Sequence, residues 1–343
     1  MDNSDIHILA AGTALPGPPV DNATLAARFS LGTAWEQWVD FFIGTHTRHF
    51  AFDLNTGQRV STLTDLAAQA GADALDKAAV TAADVDLVVL GTASPDFLIP
   101  ATVNMVADRL GIDGVPAYQL QSGCSGAVQA LDVAHQMLLT GRHSTALVIG
   151  ADSCAKHFNA RAEPRRTAPA VMVNGALFGD GAGAAVLRRG PVPGKAIVRR
   201  VIVKLAGLGR PPGQIVEWFG AGERHSDRAA FSEDYQAIEE AVPTMAAQTL
   251  RDLLADLEWE ADEIDYLLPP QLSGRMTARI TEAMDAPMAH VVSVVADIGN
   301  TGNALPFFQL QQLLPRMISG DRAVAVAIES SKWIKSGFAL EKL

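Results

Sequence analysis

The sequence predicts an α/β protein built from two similar halves. Short apolar segments at 87–90 and 146–149 alternate with longer helical patterns over 102–110 and 125–139. Strands that are apolar at every position are typical of sheets buried on both faces. The same pattern returns later in the chain at one constant spacing, so we expect an internal duplication.

Composition sets the broad class of the protein. The chain has 343 residues, which suggests two domains or one large domain; 48% of them are apolar and 19% charged, which is enough for a large core and excludes disorder. The 38 acidic and 27 basic residues give a net charge of −11, which argues against a nucleic-acid partner. No apolar run reaches about 18 residues, so we expect no membrane span. The acidic N-terminus and a content of only two cysteines favour a cytoplasmic protein.

The duplication rests on two matched segments. AADVDLVV at 82–89 matches ADEIDYLL at 261–268, and GRHSTALVI at 141–149 matches GDRAVAVAI at 320–328, each at a spacing of 179 positions. Any two α/β units share a strand followed by small residues, but one common spacing is hard to obtain by chance. We therefore predict an N-terminal half over 1–170 and a C-terminal half over 171–343. Because ligands of α/β sheets bind beyond the carboxyl ends of strands, the strand-to-helix junctions are the places to look for chemistry.

Cys124 occupies one such junction, in the segment QSGCSG. A thiol at a helix N-terminus meets unpaired N–H groups and the positive end of the helix dipole, which stabilise the thiolate. We predict that Cys124 is a nucleophile rather than a buried structural cysteine. Cys154 has no partner at metal-ligand spacing, and we expect it to pack.

Two other segments allow a functional and a structural interpretation. Gly-x-Gly-x-Gly at 179–183 precedes strand-forming residues rather than a helix, which favours a tight turn over a phosphate loop. Asn300 lies in a turn that leads into a helix. It can donate a hydrogen bond to a developing oxyanion or cap the helix, and the sequence leaves these alternatives even.

Together these segments resemble the thiolase superfamily, and within it the β-ketoacyl-acyl-carrier-protein synthase III group, over nearly the whole chain. The resemblance rests on the Cys124 motif, on LFGDGAGA at 177–184, on Gly299-Asn300-Thr301, and on Trp38 with Gly44 and Arg48-His49. It implies a five-layered α-β-α-β-α fold, usually homodimeric. It also implies a cysteine acylated by a thioester, with a histidine and an asparagine supporting attack by a second substrate.

The resemblance further implies which groups bind substrate. No metal or resident cofactor is expected, since acyl-coenzyme A or an acyl carrier protein thioester is itself a substrate. Phe42 replaces an arginine near the coenzyme site, and SSKW at 330–333 replaces a glycine-rich turn of the oxyanion hole. The substrate-binding residues carried over are Trp38, Phe178, Arg275, Ser330 and Lys332.

The largest departure from the family is Pro270. The family's His-Gln-Ala-Asn motif corresponds to Pro270-Gln271-Leu272-Ser273, so proline stands where the catalytic histidine is expected. Proline cannot act as an acid, a base or a hydrogen-bond donor. Cys124 and Asn300 are retained. In the family the histidine and asparagine polarise a malonyl carbonyl as carbon dioxide leaves, so we expect no ordinary decarboxylative condensation.

We therefore predict a cysteine-dependent acyltransferase of specialised, polyketide- or antibiotic-type metabolism. It would move an acyl group from a carrier-protein or coenzyme A thioester through Cys124 to an amine or hydroxyl. For a hydroxyl acceptor, Lys332 or His157 are candidates for the missing base. A carbon–carbon condensing enzyme and a non-catalytic partner subunit are the alternatives; Pro270 favours the partner subunit and Cys124 opposes it.

Overall fold

The computed structural model describes residues 4–157, 169–218 and 231–343. Strands and helices alternate along these residues as the sequence predicts. The two apolar segments lie in strands β4 (Leu87–Thr92) and β6 (Thr145–Ser153), and the two helical patterns are α4 (Thr102–Leu110) and α5 (Gly126–Leu139).

The first part of the chain contains a further five strands and four helices among the described residues. A π-helical turn, Val39–Ile43, and two short 3-10 helices, Ala82–Asp84 and Cys154–His157, lie between them. The strands are β1 Ile6–Ala14, β2 Val20–Asp21, β3 Thr47–Arg48, β5 Ala117–Gln121 and β7 Asp180–Arg189, and the helices are α1 Asn22–Arg28, α2 Thr33–Trp38, α3 Leu63–Ala78 and α6 Pro169–Leu177.

The second part repeats much of this order. Short 3-10 helices, Ala261–Glu263 and Gly302–Ala304, again interrupt it. The strands are β8 Ala196–Leu205, β9 Gln214–Val216, β10 Phe231–Glu233, β11 Tyr266–Leu268, β12 His290–Val291, β13 Arg322–Glu329 and β14 Ile334–Lys342, and the helices are α7 Tyr235–Leu257, α8 Gly274–Met284, α9 Val295–Ile298 and α10 Leu305–Leu313.

The strand order confirms the duplication. One set of five strands runs β1-β7-β6-β4-β5 and the other runs β8-β14-β13-β11-β12. In each set the third and fourth strands are parallel, the fourth and fifth are parallel, and the remaining pairs are antiparallel. Among the described strands, the two sets pair with each other where His7 lies opposite Ile197 and Ile8 opposite Ala196. The spacing of 179 also separates the first residues of α5 and α10, Gly126 and Leu305.

The predicted division at residue 170 does not coincide with the change between the strand sets. β7 starts at Asp180 and pairs with β1 and β6, so it completes the first set. The second set begins with β8 at Ala196. By strand membership, the halves therefore meet between Arg189 and Ala196.

The core has five layers. Helices α5 and α10 pack between the two sets of strands in one apolar cluster, to which Leu131 and Phe307 belong. Helices α3 and α4 cover the outer face of the first set, and α7 and α8 that of the second. Along β4, Val89 faces the central layer and Val88 the outer one, which explains why the strand is apolar at every position.

The glycine-rich segment leads into β7, as predicted, and is not a phosphate loop. A Cβ on Gly183 would lie 2.4 Å from Cβ of Phe307, so glycine lets α10 pack closely on the strand. None of the described helices is long and apolar enough to cross a membrane.

Candidate active site

Cys124 lies in the short loop between β5 and α5. The N–H of Gly126 donates to the carbonyl of Gly123, 2.8 Å away, which closes a tight turn around the cysteine. A Cβ on Gly91 would lie 2.3 Å from the carbonyl oxygen of Gly126, so a bare glycine in β4 allows the start of α5 to approach. The half-buried thiol therefore stands at a helix N-terminus, as the sequence predicts.

One small cavity brings together Cys124, Pro270 and Asn300. Its volume of about 20 Å³ is room for about one water molecule. Cys124 and Asn300 come from the two different halves, as expected if strand ends of a duplicated fold face one another. The rest of the lining is Pro269, Gln271, Leu272, Gly302, Leu305, Pro306, Gln309, Val326, Ala327 and Ile328.

The protonation of Cys124 differs from the prediction. Burial raises the pKa of the thiol to about 12, and the carboxylates of Glu329, Asp152 and Glu233 act in the same direction. The helix N-terminus does favour a thiolate, but desolvation and nearby negative charge outweigh it. The expected stabilisation of the thiolate is therefore not found: the site raises the pKa of Cys124 above its ordinary value instead of lowering it.

Asn300 caps the start of a short helix, and its role as an oxyanion donor stays a prediction. Its Oδ1 accepts a hydrogen bond from the N–H of Gly302 at 3.0 Å, where a 3-10 helix begins. The side chain is buried and lines the cavity. Because Oδ1 is occupied by the backbone, the Nδ2 amide is the group that Asn300 can offer to a carbonyl in the cavity.

The proline loop after β11 is held rigidly by two glutamines. Gln271 accepts hydrogen bonds at Oε1 from the N–H groups of Val294 and Val295, both at 2.8 Å. Nε2 of Gln309 donates to the carbonyls of Pro269, at 3.2 Å, and Val292, at 2.9 Å. Pro270 is therefore fixed at the cavity wall, where it offers no polar side-chain atom.

Glu329, at the end of β13, is a site residue that the sequence analysis missed. Its buried carboxylate accepts hydrogen bonds at Oε2 from the hydroxyls of Ser122, at 2.6 Å, and Ser125, at 2.5 Å. These serines stand on either side of Cys124. The one sign in the sequence is an acid directly after the apolar run 323–328, at the carboxyl end of a predicted strand.

Asn303 and Asp152 were also missed, and both tie the halves together. Asn303, which the duplication places opposite Cys124, donates from Nδ2 to the carbonyl of Ser122, at 3.1 Å, and to Oδ2 of Asp152, at 2.8 Å. Its Oδ1 accepts from the N–H of Ala127 at 2.8 Å. The arrangement anchors the loop that bears Cys124.

Trp38 and Arg275 belong to one exposed aromatic cluster, in which they are connected through Phe41 and Phe42, whose rings are 4.9 Å apart. The guanidinium of Arg275 lies 4.8 Å from the centre of the Phe41 ring, and its Nε donates to the Phe41 carbonyl at 2.6 Å. The rings of Trp38 and Phe42 are 6.0 Å apart. Leu272 lines the cavity, and Arg275 comes three positions later in the chain. The cluster is therefore near the cavity in sequence.

The other predicted substrate-binding residues are placed differently. Phe178 forms an isolated bridge with Asn300 and is therefore next to the cavity. The carbonyl of Ser330 accepts from the N–H of Gly213 at 3.1 Å. Lys332 is exposed and donates from Nζ to the carbonyl of Arg210 at 2.5 Å. Neither Ser330 nor Lys332 lines the cavity at Cys124. The Nζ of Lys332 is bound to the Arg210 carbonyl rather than to the loop that bears Cys124, so Lys332 is not placed to act as the base.

Cys154 begins a short 3-10 helix and is half-buried. Burial raises the pKa of its thiol well above the ordinary value, so it has no thiolate character at neutral pH. The side chain of His157 lies outside the described residues. Within the described parts of the chain, no group of three or more His, Cys, Asp or Glu side chains could hold a metal ion.

The family of the chain follows from its sequence relatives. The N-terminal and C-terminal profiles of 3-oxoacyl-[acyl-carrier-protein (ACP)] synthase III match residues 118–203 and 254–330. The β-ketoacyl-[acyl-carrier-protein] synthase III of Pseudomonas aeruginosa (strain LESB58) is 32% identical over 297 residues, which are 86% of this chain and 83% of that protein. The chain belongs to this family. The Rhodospirillum rubrum enzyme of the same name is 34% identical over 299 residues, 87% of this chain and 86% of its own.

Solved structures agree with this assignment. AbyA1, a tetronic acid condensing enzyme, superimposes with a TM-score of 0.95 at 58% identity, over 98% of this chain and 99% of its own. The synthase III of Pseudomonas aeruginosa PAO1 gives a TM-score of 0.82 at 27% identity, over 98% of both chains. The five-layered thiolase-like fold is confirmed. The chain is a member of a family of condensing enzymes that take acyl thioesters as substrates.

Proposed function

We propose that this protein joins an acyl group carried on Cys124 to a second substrate without decarboxylation, in a condensation of the tetronic-acid type. The observation that carries the proposal is the 58% identity with a tetronic acid condensing enzyme over 98% of the chain. Pro270 in the cavity wall supports the absence of decarboxylation, since no histidine is present there to polarise a malonyl carbonyl.

The chemistry of a tetronic acid fits a site with a nucleophile and no histidine. The ring is a five-membered lactone that can be assembled from a β-ketoacyl thioester and a 2-hydroxyacyl thioester by one carbon–carbon bond and one ester bond. The α-carbon of a β-ketoacyl thioester lies between two carbonyls, which makes its proton acidic. The nucleophilic carbon can therefore form by proton loss rather than by loss of carbon dioxide.

Cys124 and Asn300 would divide the work. The sulfur of Cys124 attacks the donor thioester, the donor's carbon–sulfur bond breaks, and the thiol proton leaves with the released thiol. Nδ2 of Asn300, with Oδ1 held by Gly302, would donate to the thioester carbonyl as negative charge develops on its oxygen. The donor would be an acyl carrier protein or coenzyme A thioester.

Transfer of the acyl group to a hydroxyl or amine alone is the second candidate. Pro270 favours it, because such a transfer needs no carbon nucleophile. Transfer to a hydroxyl would form the ester bond, which is one of the two bonds needed to close a tetronic acid ring. A non-catalytic partner subunit is disfavoured, because Cys124 and Asn300 still line one cavity.

The first test is covalent labelling of Cys124. After incubation with a panel of acyl thioesters, intact-protein mass spectrometry should show one added acyl group, which Cys124→Ala should abolish. Cys154→Ala is the matched control and should label like the wild type. A label on Cys154 would show that the nucleophile is misassigned.

The second test is product analysis. A β-ketoacyl thioester and a 2-hydroxyacyl thioester should together give a lactone that contains both units. With a malonyl thioester labelled in its carboxyl carbon, we expect no labelled carbon dioxide. Steady release of the label with a β-keto product would show ordinary decarboxylative condensation. An ester or amide without a new carbon–carbon bond would favour the second candidate.

A further inference from the structure

Glu329 is a buried carboxylate that touches both sides of the nucleophile loop. It is 4% exposed, and besides the two serine hydroxyls its Oε2 lies 3.4 Å from the N–H of Ser125. A Cβ on Gly123 would lie 3.1 Å from Oε1, so the loop approaches the carboxylate closely at this glycine. The carboxylate comes from β13, in the half of the chain opposite to Cys124.

Its partners are all neutral donors. Nε2 of Gln129 donates to the hydroxyls of Ser122 and Ser125, at 2.7 and 2.8 Å, which orients both hydroxyl protons toward Glu329. The hydroxyl of Ser331 donates to Oε1. In the described residues no lysine, arginine or histidine forms an ion pair with Glu329. Burying a carboxyl group without a cationic partner is costly, so a carboxyl held here by hydroxyls and one backbone N–H needs an explanation beyond packing.

The proposed reaction needs a group of this kind. Loss of carbon dioxide would create the carbon nucleophile without a base, whereas a condensation without decarboxylation must remove a proton from the second substrate. Pro270 cannot accept that proton. A buried carboxylate can serve as the base for a carbon next to a carbonyl, as it does in ketosteroid isomerase.

We propose that Glu329 is the proton acceptor of the second half-reaction, in the role that Pro270 cannot fill; this inference rests on the proposed function. The second substrate loses its C–H or O–H proton to Glu329 through the hydroxyls of Ser122 and Ser125, because Glu329 itself is not among the residues that line the cavity. Its carbon or oxygen forms a bond to the acyl carbon, and the bond from that carbon to Sγ of Cys124 breaks. The proton then passes from Glu329 to the sulfur, so that carboxylate and thiol are both restored.

The surroundings of Cys124 favour the return of the proton. The high pKa of the thiol makes the released thiolate a strong base. Three carboxylates act on it, Glu329 from β13, Asp152 from β6 and Glu233 from β10, with the Cys154 thiol nearby. Asp152 accepts hydrogen bonds from the side chains of Thr92, Ser94 and Asn303, and Glu233 accepts one from Gln214 at 2.6 Å; none of these donors belongs to the loop that bears Cys124. Glu329 is the one of the three with hydrogen bonds to residues on both sides of Cys124.

The test compares Glu329→Gln, Glu329→Asp and the control Glu233→Gln with the wild type. In Glu329→Gln, Cys124 should still be acylated, within about 5-fold of the wild-type rate, while transfer to the second substrate falls about 100- to 10,000-fold, the usual worth of an acid–base group. In Glu329→Gln, the reaction of Cys124 with iodoacetamide should begin at a lower pH than in the wild type, because the substitution removes a carboxylate beside the thiol. Glu329→Asp should recover part of the transfer, and Glu233→Gln should retain it.

Each outcome decides between clear alternatives. Wild-type transfer in Glu329→Gln would overturn the inference and leave the proposed function intact. If acylation and transfer fall equally, and the pH dependence of Cys124 alkylation is unchanged, Glu329 only holds the loop. This result would also overturn the inference. A wild-type enzyme that no thioester acylates would overturn the proposed function itself, and the role of Glu329 with it.

Discussion

At the scale of single residues, Asn300 and Asn303 carry the same side chain but have different environments. Asn303 uses both side-chain atoms on Ala127, Ser122 and Asp152. Asn303→Ala should therefore lower the free energy of unfolding by about 2–4 kcal/mol, because it leaves buried partners unsatisfied. Asn300→Ala loses one bond to Gly302 and should cost about 1 kcal/mol, but it should slow acyl transfer about 100-fold or more. Denaturant unfolding and transfer rates measure the two effects; equal destabilisation would contradict the distinction.

The residues of the site could be predicted from the sequence only where the signal is local. Cys124 and Asn300 lie in short motifs of glycine and turn residues, and Pro270 was recognised through the family motif that it interrupts. The stabilised thiolate expected of Cys124 is not found, because the helix terminus is visible in the sequence, whereas the burial that raises the pKa of the thiol, and the carboxylate of Glu329 that adds to it, come from the packing of distant segments. Pairings such as Glu329 with Ser122 and Ser125 depend on how the halves pack, which no local pattern reports.

At the scale of elements, the strands buried on both faces were predictable and the small ones were not. β4, β6 and β13 are continuous apolar runs because helices cover both sides. β12 has only two residues, His290 and Val291, and both are exposed. The antiparallel pair of β9 and β10 is likewise short, with three residues in each strand and none of them buried. Such strands lack the burial that produces a readable pattern.

Close packing between elements makes Gly150 in β6 a sensitive position. A Cβ there would lie 2.1 Å from the carbonyl oxygen of Asn303 and 2.8 Å from the Phe307 ring. Gly150→Ala should lower stability by about 1–3 kcal/mol or more through overpacking, and should displace the segment that carries Asn303. Gly32→Ala is the matched control, since nothing lies within 4 Å of its Cβ. Thermal unfolding of both variants checks this; equal melting temperatures would contradict the close approach.

At the scale of the whole molecule, the duplication could be recognised from two short matches because the matched segments form equivalent strands in the two halves. Each match covers the approach to a central parallel strand, β4 with β11 and β6 with β13, which have the same neighbours in their sets. The order of the five layers is implied by the family resemblance, whereas the periodicity of the sequence does not predict it. The division at residue 170 preceded β7, because a strand that returns to the sheet of the earlier half cannot be distinguished locally from the first strand of the next.

A homodimer is the remaining prediction at this scale. β5 is the edge strand of its set, and the adjoining loop exposes Phe97 and Leu98, 53% and 67% accessible. A hydrogen bond from Gln121 Nε2 to the Ala93 carbonyl at 3.2 Å connects the start of this loop to β5. An unprotected edge beside apolar residues is suited to a two-fold contact in which β5 pairs with its copy.

Light scattering after size-exclusion chromatography should give the mass of a dimer of 36.2 kDa chains. Phe97→Asp with Leu98→Asp should shift the protein toward the monomer, because the paired faces would bury four carboxylates without partners. Leu208→Asp is the control: this leucine is 98% exposed and lies on a turn outside the β5 surface, so its variant should remain dimeric. A dimer that survives the double substitution would place the contact elsewhere, and a monomeric wild type would show that this edge stays unpaired in solution.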